Sequence, residues 1–268
     1  MSPKSLLDQL WQCYYNMNSQ VPKIHKALKD YGEHEILNDH IAFRTFEGSD
    51  LGIDVMRQQF EDLGWQVLGS YTFTQKKLRA VHLEHQQDTT LPKIFLSELI
   101  TSKFSENLQQ IVASELLLVP QEFKSGLWLT KGRWQESKPC LQKYEQLLAE
   151  SEYAAWLYIF GICPNHFTVY VNSLKMFDGI DALNEFLLGQ GFIMNSAGGL
   201  VKGSSLDGLR QSSTMAAKVT IEFLGGEQQE IPCCYYEFAE RFELNGTLFQ
   251  GFVTDSADKI FQSTDNSS

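Results

Sequence analysis

Asn38-Asp39-His40-Ile41-Ala42-Phe43-Arg44-Thr45-Phe46 reads as a β-strand, because apolar, aromatic and β-branched residues dominate from Ile41 to Phe46. Side chains alternate between the two faces of a strand, so His40, Ala42 and Arg44 share one face and Ile41, Phe43 and Thr45 the other. The first face carries an imidazole and a guanidinium with a small alanine between them, which leaves space above the sheet. Such a face suits a metal on His40 with an anion held by Arg44. A strand with one solvated face fits the same residues equally well.

A second copy tips the balance. Asn165-His166-Phe167-Thr168-Val169-Tyr170-Val171-Asn172 again sets a histidine behind a polar residue and ahead of an alternating strand. Each copy is followed by a Gly-Ile-Asp triplet, Gly52-Ile53-Asp54 and Gly179-Ile180-Asp181. Each triplet leads into a helical run that closes on a Gly-aromatic pair, Gly64-Trp65 and Gly191-Phe192. The histidine-to-triplet spacing differs by one residue, and the triplet-to-pair spacing is the same. This is an internal duplication of a strand–helix–strand unit.

Outward from these copies, the pattern predicts an α+β fold of two β-α-β-β-β modules. Residues 1–34 form N-terminal helices, with an amphipathic stripe of Leu6, Leu7, Leu10, Trp11, Tyr14 and Met17 and a second helix ending at Gly32. Residues 35–100 are the first module and 101–160 a helical insertion with no chemistry of its own. Residues 161–263 are the second module with a C-terminal helix, and 264–268 a polar, disordered tail. In the second module the expected strands start near Phe192, run from Ala217 to Phe223 around the hairpin signal Gly225-Gly226, and end with Cys234 to Phe242.

Composition narrows the function classes. A net charge of −11 over 268 residues, without a basic stripe, argues against binding nucleic acid. The five cysteines, Cys13, Cys140, Cys163, Cys233 and Cys234, contain no CxxC pair and are odd in number, so neither a thiolate zinc site nor a disulfide framework is expected. No apolar run approaches the ~20 residues of a membrane span, and Met1-Ser2-Pro3-Lys4-Ser5 lacks a signal-peptide core. Reduced thiols in a cytoplasmic protein are the simple reading, and the acidic charge is compatible with a small-molecule enzyme without pointing to one.

The last strand of the second module, Tyr235-Tyr236-Glu237-Phe238, holds a carboxylate among aromatics. Burying it unpaired is costly. A salt bridge with Arg241 or Arg44 would satisfy it, and so would a metal shared with His40 and His166. Two imidazoles and one carboxylate with open positions is the ligand set of non-haem Fe(II) oxygenases. Aligning Pro92 with Pro232 sets Ser97 opposite Glu237, and a shift of one residue would bring in Glu98 as a fourth ligand.

These motifs resemble the 2-oxoadipate dioxygenase/decarboxylase family of the vicinal oxygen chelate (glyoxalase-like) superfamily, as do Gln211-Ser212-Ser213-Thr214 and the closing stretch Ser256 to Ser263. The resemblance covers most of the chain outside the first 30 residues and the insertion. It implies a curved sheet around a metal site, with Fe(2+) held by His40, His166 and Glu237. It makes Arg44 the candidate catalytic residue, and His40, Arg44 and Ser256 the substrate contacts. Asp255, beside Ser256, is a departure that places an anion where an anionic substrate would approach. The implied partners are a small-molecule 2-oxo acid and O2, with 2-oxoadipate converted to 2-hydroxyglutarate and CO2. A hydrolase, lyase or isomerase of the same superfamily using Zn, Ni or Mn is the first alternative, and a small-molecule binding protein the second.

Other residues carry weaker signals. Lys202, in a glycine-rich loop, reads as solvated more readily than as an anion contact. Tyr170 stands four residues after His166, as Arg44 does after His40. Arg210 and Ser212 to Thr214 fit a turn as well as a pocket wall. His25, His34, His82 and His85 have no counterpart in the repeat and read as ordinary surface or core residues.

Overall fold

Helices α1 (Pro3–Met17) and α2 (Val21–Tyr31) open the chain. Ser2 caps the first by accepting from the Ser5 amide, and the second ends at Gly32, whose φ of 110° is left-handed backbone that glycine adopts without strain. The first module follows in the expected order: β1 (Asn38–Phe46), α3 (Ile53–Glu61), β2 (Trp65–Phe73), β3 (Leu78–His85) and β4 (Lys93–Leu99). The insertion contributes α4 (Glu106–Leu116), α5 (Leu141–Glu150) and α6 (Glu152–Phe160). Helix α6 is apolar on all sides, and every residue from Tyr153 to Phe160 is buried. This computed structural model describes residues 1–48, 51–120, 129–135 and 137–264.

The second module is β5 (Pro164–Tyr170), α7 (Gly179–Gly189), β6 (Lys202–Ser204), β7 (Leu209–Ser213), a hairpin of β8 (Lys218–Glu222) and β9 (Gln228–Pro232), and β10 (Tyr235–Arg241). A short hairpin, β11 (Glu243–Leu244) and β12 (Thr247–Leu248), leads to α8 (Thr254–Ile260) and a final 3-10 turn, Phe261–Thr264. One curved eight-stranded sheet, in the order β2-β3-β4-β1-β5-β10-β7-β6, joins both modules. Strands β1 and β5 meet antiparallel at its centre, flanked by their parallel partners β4 and β10. The expected α+β fold with two modules in a single sheet is what the chain adopts.

Two expectations for the second module fail. No strand starts at Phe192; the chain there makes only an isolated bridge, Met194 to Thr214. The Gly225-Gly226 signal does mark a hairpin, but β8 and β9 pair only with each other, outside the main sheet. Their places are taken by β6 and β7. Polarity misled the reading: Ser212 and Ser213 are fully buried, satisfied by Asn184 and Ser263, while no residue of β8 is buried. The expected tail is corrected at its first residue. Thr264 is buried in the closing turn, and residues 265–268 lie outside the described residues.

Candidate metal centre

Three adjacent central strands each present one ligand. The register sets Ala42 beside His166 across β1 and β5, and Thr168 beside both His40 and Glu237. The side chains of His40, His166 and Glu237 therefore converge on one face. Their ligand atoms all lie within 4.8 Å of one another, and all three residues are buried. Glu237 Oε2 is 3.1 Å from His166 Nε2, and Glu237 Oε1 is 3.5 Å from His40 Nε2.

Each histidine is oriented by the residue before it. Asp39 Oδ1 lies 2.8 Å from His40 Nδ1, and Asn165 Oδ1 lies 3.1 Å from His166 Nδ1. An Nδ1–H donor on each ring leaves the Nε2 lone pair facing the cluster, the tautomer a metal requires. Asp39 is gripped in turn by a two-pronged Arg241, at 2.6 and 2.8 Å. Burial alone would raise the Asp39 carboxyl, but Arg241 and His40 outweigh it and hold the group ionised. Gln211 donates to Glu237 Oε1 at 2.6 Å, and the Thr168 hydroxyl lies 3.0 Å from His40 Nε2.

Electrostatics favour a cation here. Burial keeps His40 and, more strongly, His166 neutral at physiological pH. Burial also pushes the Glu237 carboxyl up to about 8, with Gln211 opposing the rise. The metal-free fold therefore favours the protonated form of Glu237. A divalent ion would displace that proton, and two neutral imidazoles and one carboxylate would hold it, a set that leaves coordination positions open. The donor set thus fits the Fe(2+) expectation.

Glu98 is not part of the cluster. It pairs with Thr45, on the opposite face from Arg44, where it accepts from the Ile53 amide at 2.7 Å and from Arg79. The proline alignment is also corrected. Overlaying His40 on His166 brings Phe95, not Ser97, onto Glu237, because Ala42 pairs with Phe95 as Thr168 pairs with Glu237. Register along a sheet is set by its ladder, and the prolines lie outside it.

Arg44 points to the same side as the ligands and is buried. Its Nη1 bonds Glu152 at 2.8 Å and its Nη2 bonds Thr264 at 2.9 Å, while Tyr153 and Trp156 lie against the guanidinium at 4.9 and 5.1 Å. Helix α6 lies in the insertion that the sequence assigns either to packing or to shielding the sheet, and it builds the wall around Arg44. The salt-bridge alternative for Glu237 fails, since Arg44 pairs with Glu152 and Arg241 with Asp39.

The remaining candidates divide. Lys202 is not solvated: it is buried, its ammonium donates to the Asn195 carbonyl at 2.6 Å, and burial lowers it to about 8. Ser256 is buried at the start of α8 against Gly203, and no hydrogen bond joins it to His40, Arg44, His166 or Glu237 among the described residues. Asp255 is exposed. Tyr170 lines a cleft of about 530 Å³ beside Asp39, Lys93 and Arg241. Arg210 bonds Asp181 and Glu240 instead of facing the ligands. His82 is buried and bonded to Tyr71 and Glu84.

Residues 4–129 and 121–247 match the model of the 2-oxoadipate dioxygenase/decarboxylase family. The match includes the insertion, which the sequence motifs had left out. A chloroplastic 2-oxoadipate dioxygenase/decarboxylase of Arabidopsis thaliana is 34% identical over 285 residues, covering 97% of this chain and 77% of the relative. The crystal structure of a hydroxyglutarate synthase from Oryza sativa, in complex with 2-oxoadipate, superposes with a TM-score of 0.90 at 32% identity, covering 98% of this chain and 91% of that one. A structure from Shewanella frigidimarina that carries a provisional hydrolase name superposes with a TM-score of 0.87 at 42% identity, covering 94% and 97%. Among the described residues, no helix is long and apolar enough to cross a membrane.

Proposed function

The chain belongs to the 2-oxoadipate dioxygenase/decarboxylase family and is an enzyme, and from that premise we propose that it acts with Fe(II) on a 2-oxo dicarboxylic acid, first of all 2-oxoadipate. One O2 is consumed, CO2 leaves, and 2-hydroxyglutarate forms. Both atoms of O2 remain in that product: one in the new carboxylate at the former keto carbon, the other as the hydroxyl on its neighbour.

The observation that carries this reading is the convergence of three buried ligands with one buried guanidinium on a single face. His40, His166 and Glu237 would hold the metal, which when bound supplies the redox chemistry and the positions for the substrate's 2-oxo acid end and for O2. Arg44 stands four residues from His40 on the same strand, so their Cα atoms are roughly 13 Å apart. An arginine reaching back over several ångströms of that distance leaves room for a six-carbon diacid. Its charged hydrogen bonds suit the carboxylate remote from the metal. Asp39, Arg241 and Asn165 keep the imidazoles turned toward the cluster. The walls from α6 keep water from the guanidinium, which strengthens its hold on an anion.

The zinc-type alternative gains nothing from the geometry, because Glu98, the fourth ligand that would favour it, faces the other way. The test is anaerobic loading with Fe(II), then O2 uptake on adding 2-oxoadipate. The expected result is one O2 lost per 2-oxoadipate. Fully loaded protein that consumed no O2 with any 2-oxo acid would overturn the reading.

A further inference from the structure

Tyr235 has no task in the chemistry above, yet it occupies the site. It lies on β10 two residues before Glu237, so the two side chains share the metal-facing side of the sheet. It is fully buried, and its ring stacks on that of His166 with centroids 4.5 Å apart and planes 27° from parallel. Its hydroxyl has no hydrogen-bond partner among the described residues. Buried hydroxyls are rarely left so, because the lost contact with water goes uncompensated.

Arg44 carries a second orphan. Glu152 and Thr264 take its two terminal nitrogens, and its buried Nε–H has no partner among the described residues. Along the ladder Tyr235 stands beside His166, His166 stands beside Ala42, and Arg44 follows Ala42 by two residues on β1. The phenol and the guanidinium therefore share the face of the sheet that carries His40, His166 and Glu237. Two buried, unsatisfied donors on one face of the sheet are matched by a single group with two acceptor oxygens, which a carboxylate is.

We infer that Tyr235 is a substrate-binding residue whose hydroxyl, together with Arg44 Nε, holds the carboxylate remote from the metal and so favours dicarboxylic over monocarboxylic 2-oxo acids. The inference rests on the proposed reading of the site as one for a diacid. A purely structural tyrosine would make the opposite demand: its hydroxyl would stabilise the substrate-free fold.

Tyr235→Phe separates the two roles, since it keeps the ring on His166 and removes only the oxygen. With Fe(II) loaded, the expected result is an unchanged iron content and a Tm no lower than that of the parent. KM for 2-oxoadipate should rise about tenfold or more, the loss expected for a hydrogen bond to a charged group. The preference for 2-oxoadipate over 2-oxohexanoate, in kcat/KM, should fall by a similar factor. An unchanged preference would overturn the inference, whatever the Tm. Anaerobic calorimetric titration with 2-oxoadipate reads binding without turnover. If the parent binds the diacid but consumes no O2, the oxygenase reading fails while the role of Tyr235 is still decided by the two binding constants.

Discussion

The two halves of the central sheet carry the same histidine but not the same neighbour. In the second module, Glu237 stands across from Thr168 and supplies the carboxylate; in the first, Phe95 holds the matching place across from Ala42. Phe95 packs against Phe252, with ring centroids 4.8 Å apart, and Phe252 in turn lies edge-on to His40 at 4.8 Å. One half of the duplication thus presents a carboxylate at this place, and the other an apolar wall. A symmetric site would be closed by four protein ligands. The asymmetric one would leave room on a bound metal for substrate and gas.

Breaking that asymmetry from either side gives the largest effects. Glu237→Ala should reduce both bound iron and activity to background, read by metal analysis and O2 uptake; near-normal activity would remove Glu237 from the ligand set. Phe95→Glu should do something different, keeping the metal while abolishing turnover, because a fourth carboxylate takes an open position. Retained activity in that variant would mean Phe95 does not occupy the place matched to Glu237.

The next contrast is between Arg44 and Tyr170, each four residues after its histidine. Arg44→Ala should raise KM for 2-oxoadipate about a hundredfold, the scale of one or two charge-assisted hydrogen bonds, with metal content unchanged. An unchanged KM would show that Arg44 is not the carboxylate clamp. A smaller effect is expected where Asp39 differs from Asn165. Asp39→Asn weakens the partner of His40 Nδ1 and leaves Arg241 buried without its counter-charge, so iron affinity should drop about 10–100-fold. Loss of less than twofold would confine Asp39 to packing.

The smallest effect is one of pH. Glu237 lies at about 8 in the metal-free fold, against an ordinary value of 4.5. Between those values the folded chain keeps a proton that the unfolded chain has lost, so stability falls as pH rises. The histidines, whose folded values are lowered, act the other way but only below about 6.5. The Tm of metal-free protein should therefore decline from about pH 6.5 to 8, and that decline should vanish in the iron-loaded protein, where the cation keeps Glu237 ionised. Parallel curves for the two forms would contradict the assignment of the proton.

Much of this site was legible in the sequence because duplication writes it twice. His40 and His166 stand out by their matched spacing to Gly-Ile-Asp, and the alternation of β1 assigns Arg44 to their face. What was hidden depends on contacts far apart in the chain. Glu152 and Thr264 reach Arg44 across 108 and 220 residues, and Arg241 reaches Asp39 across 202. Nothing local marks them. Strand β7 was hidden for another reason: Ser212 and Ser213 are buried through hydrogen bonds, a burial that a hydrophobic pattern cannot signal. The mismatch of Ser97 with Glu237 shows that the register of paired strands comes from the ladder, two residues away from where the prolines would set it.

An open three-ligand centre would let this enzyme place both atoms of O2 in one product. Turnover of 2-oxoadipate by the iron-loaded protein under ¹⁸O₂, with the product weighed by mass spectrometry, tests it most directly. The expected product is 2-hydroxyglutarate carrying two labelled oxygen atoms, one in the carboxylate and one in the hydroxyl. Product with no label, or with label only from ¹⁸O water, would contradict it.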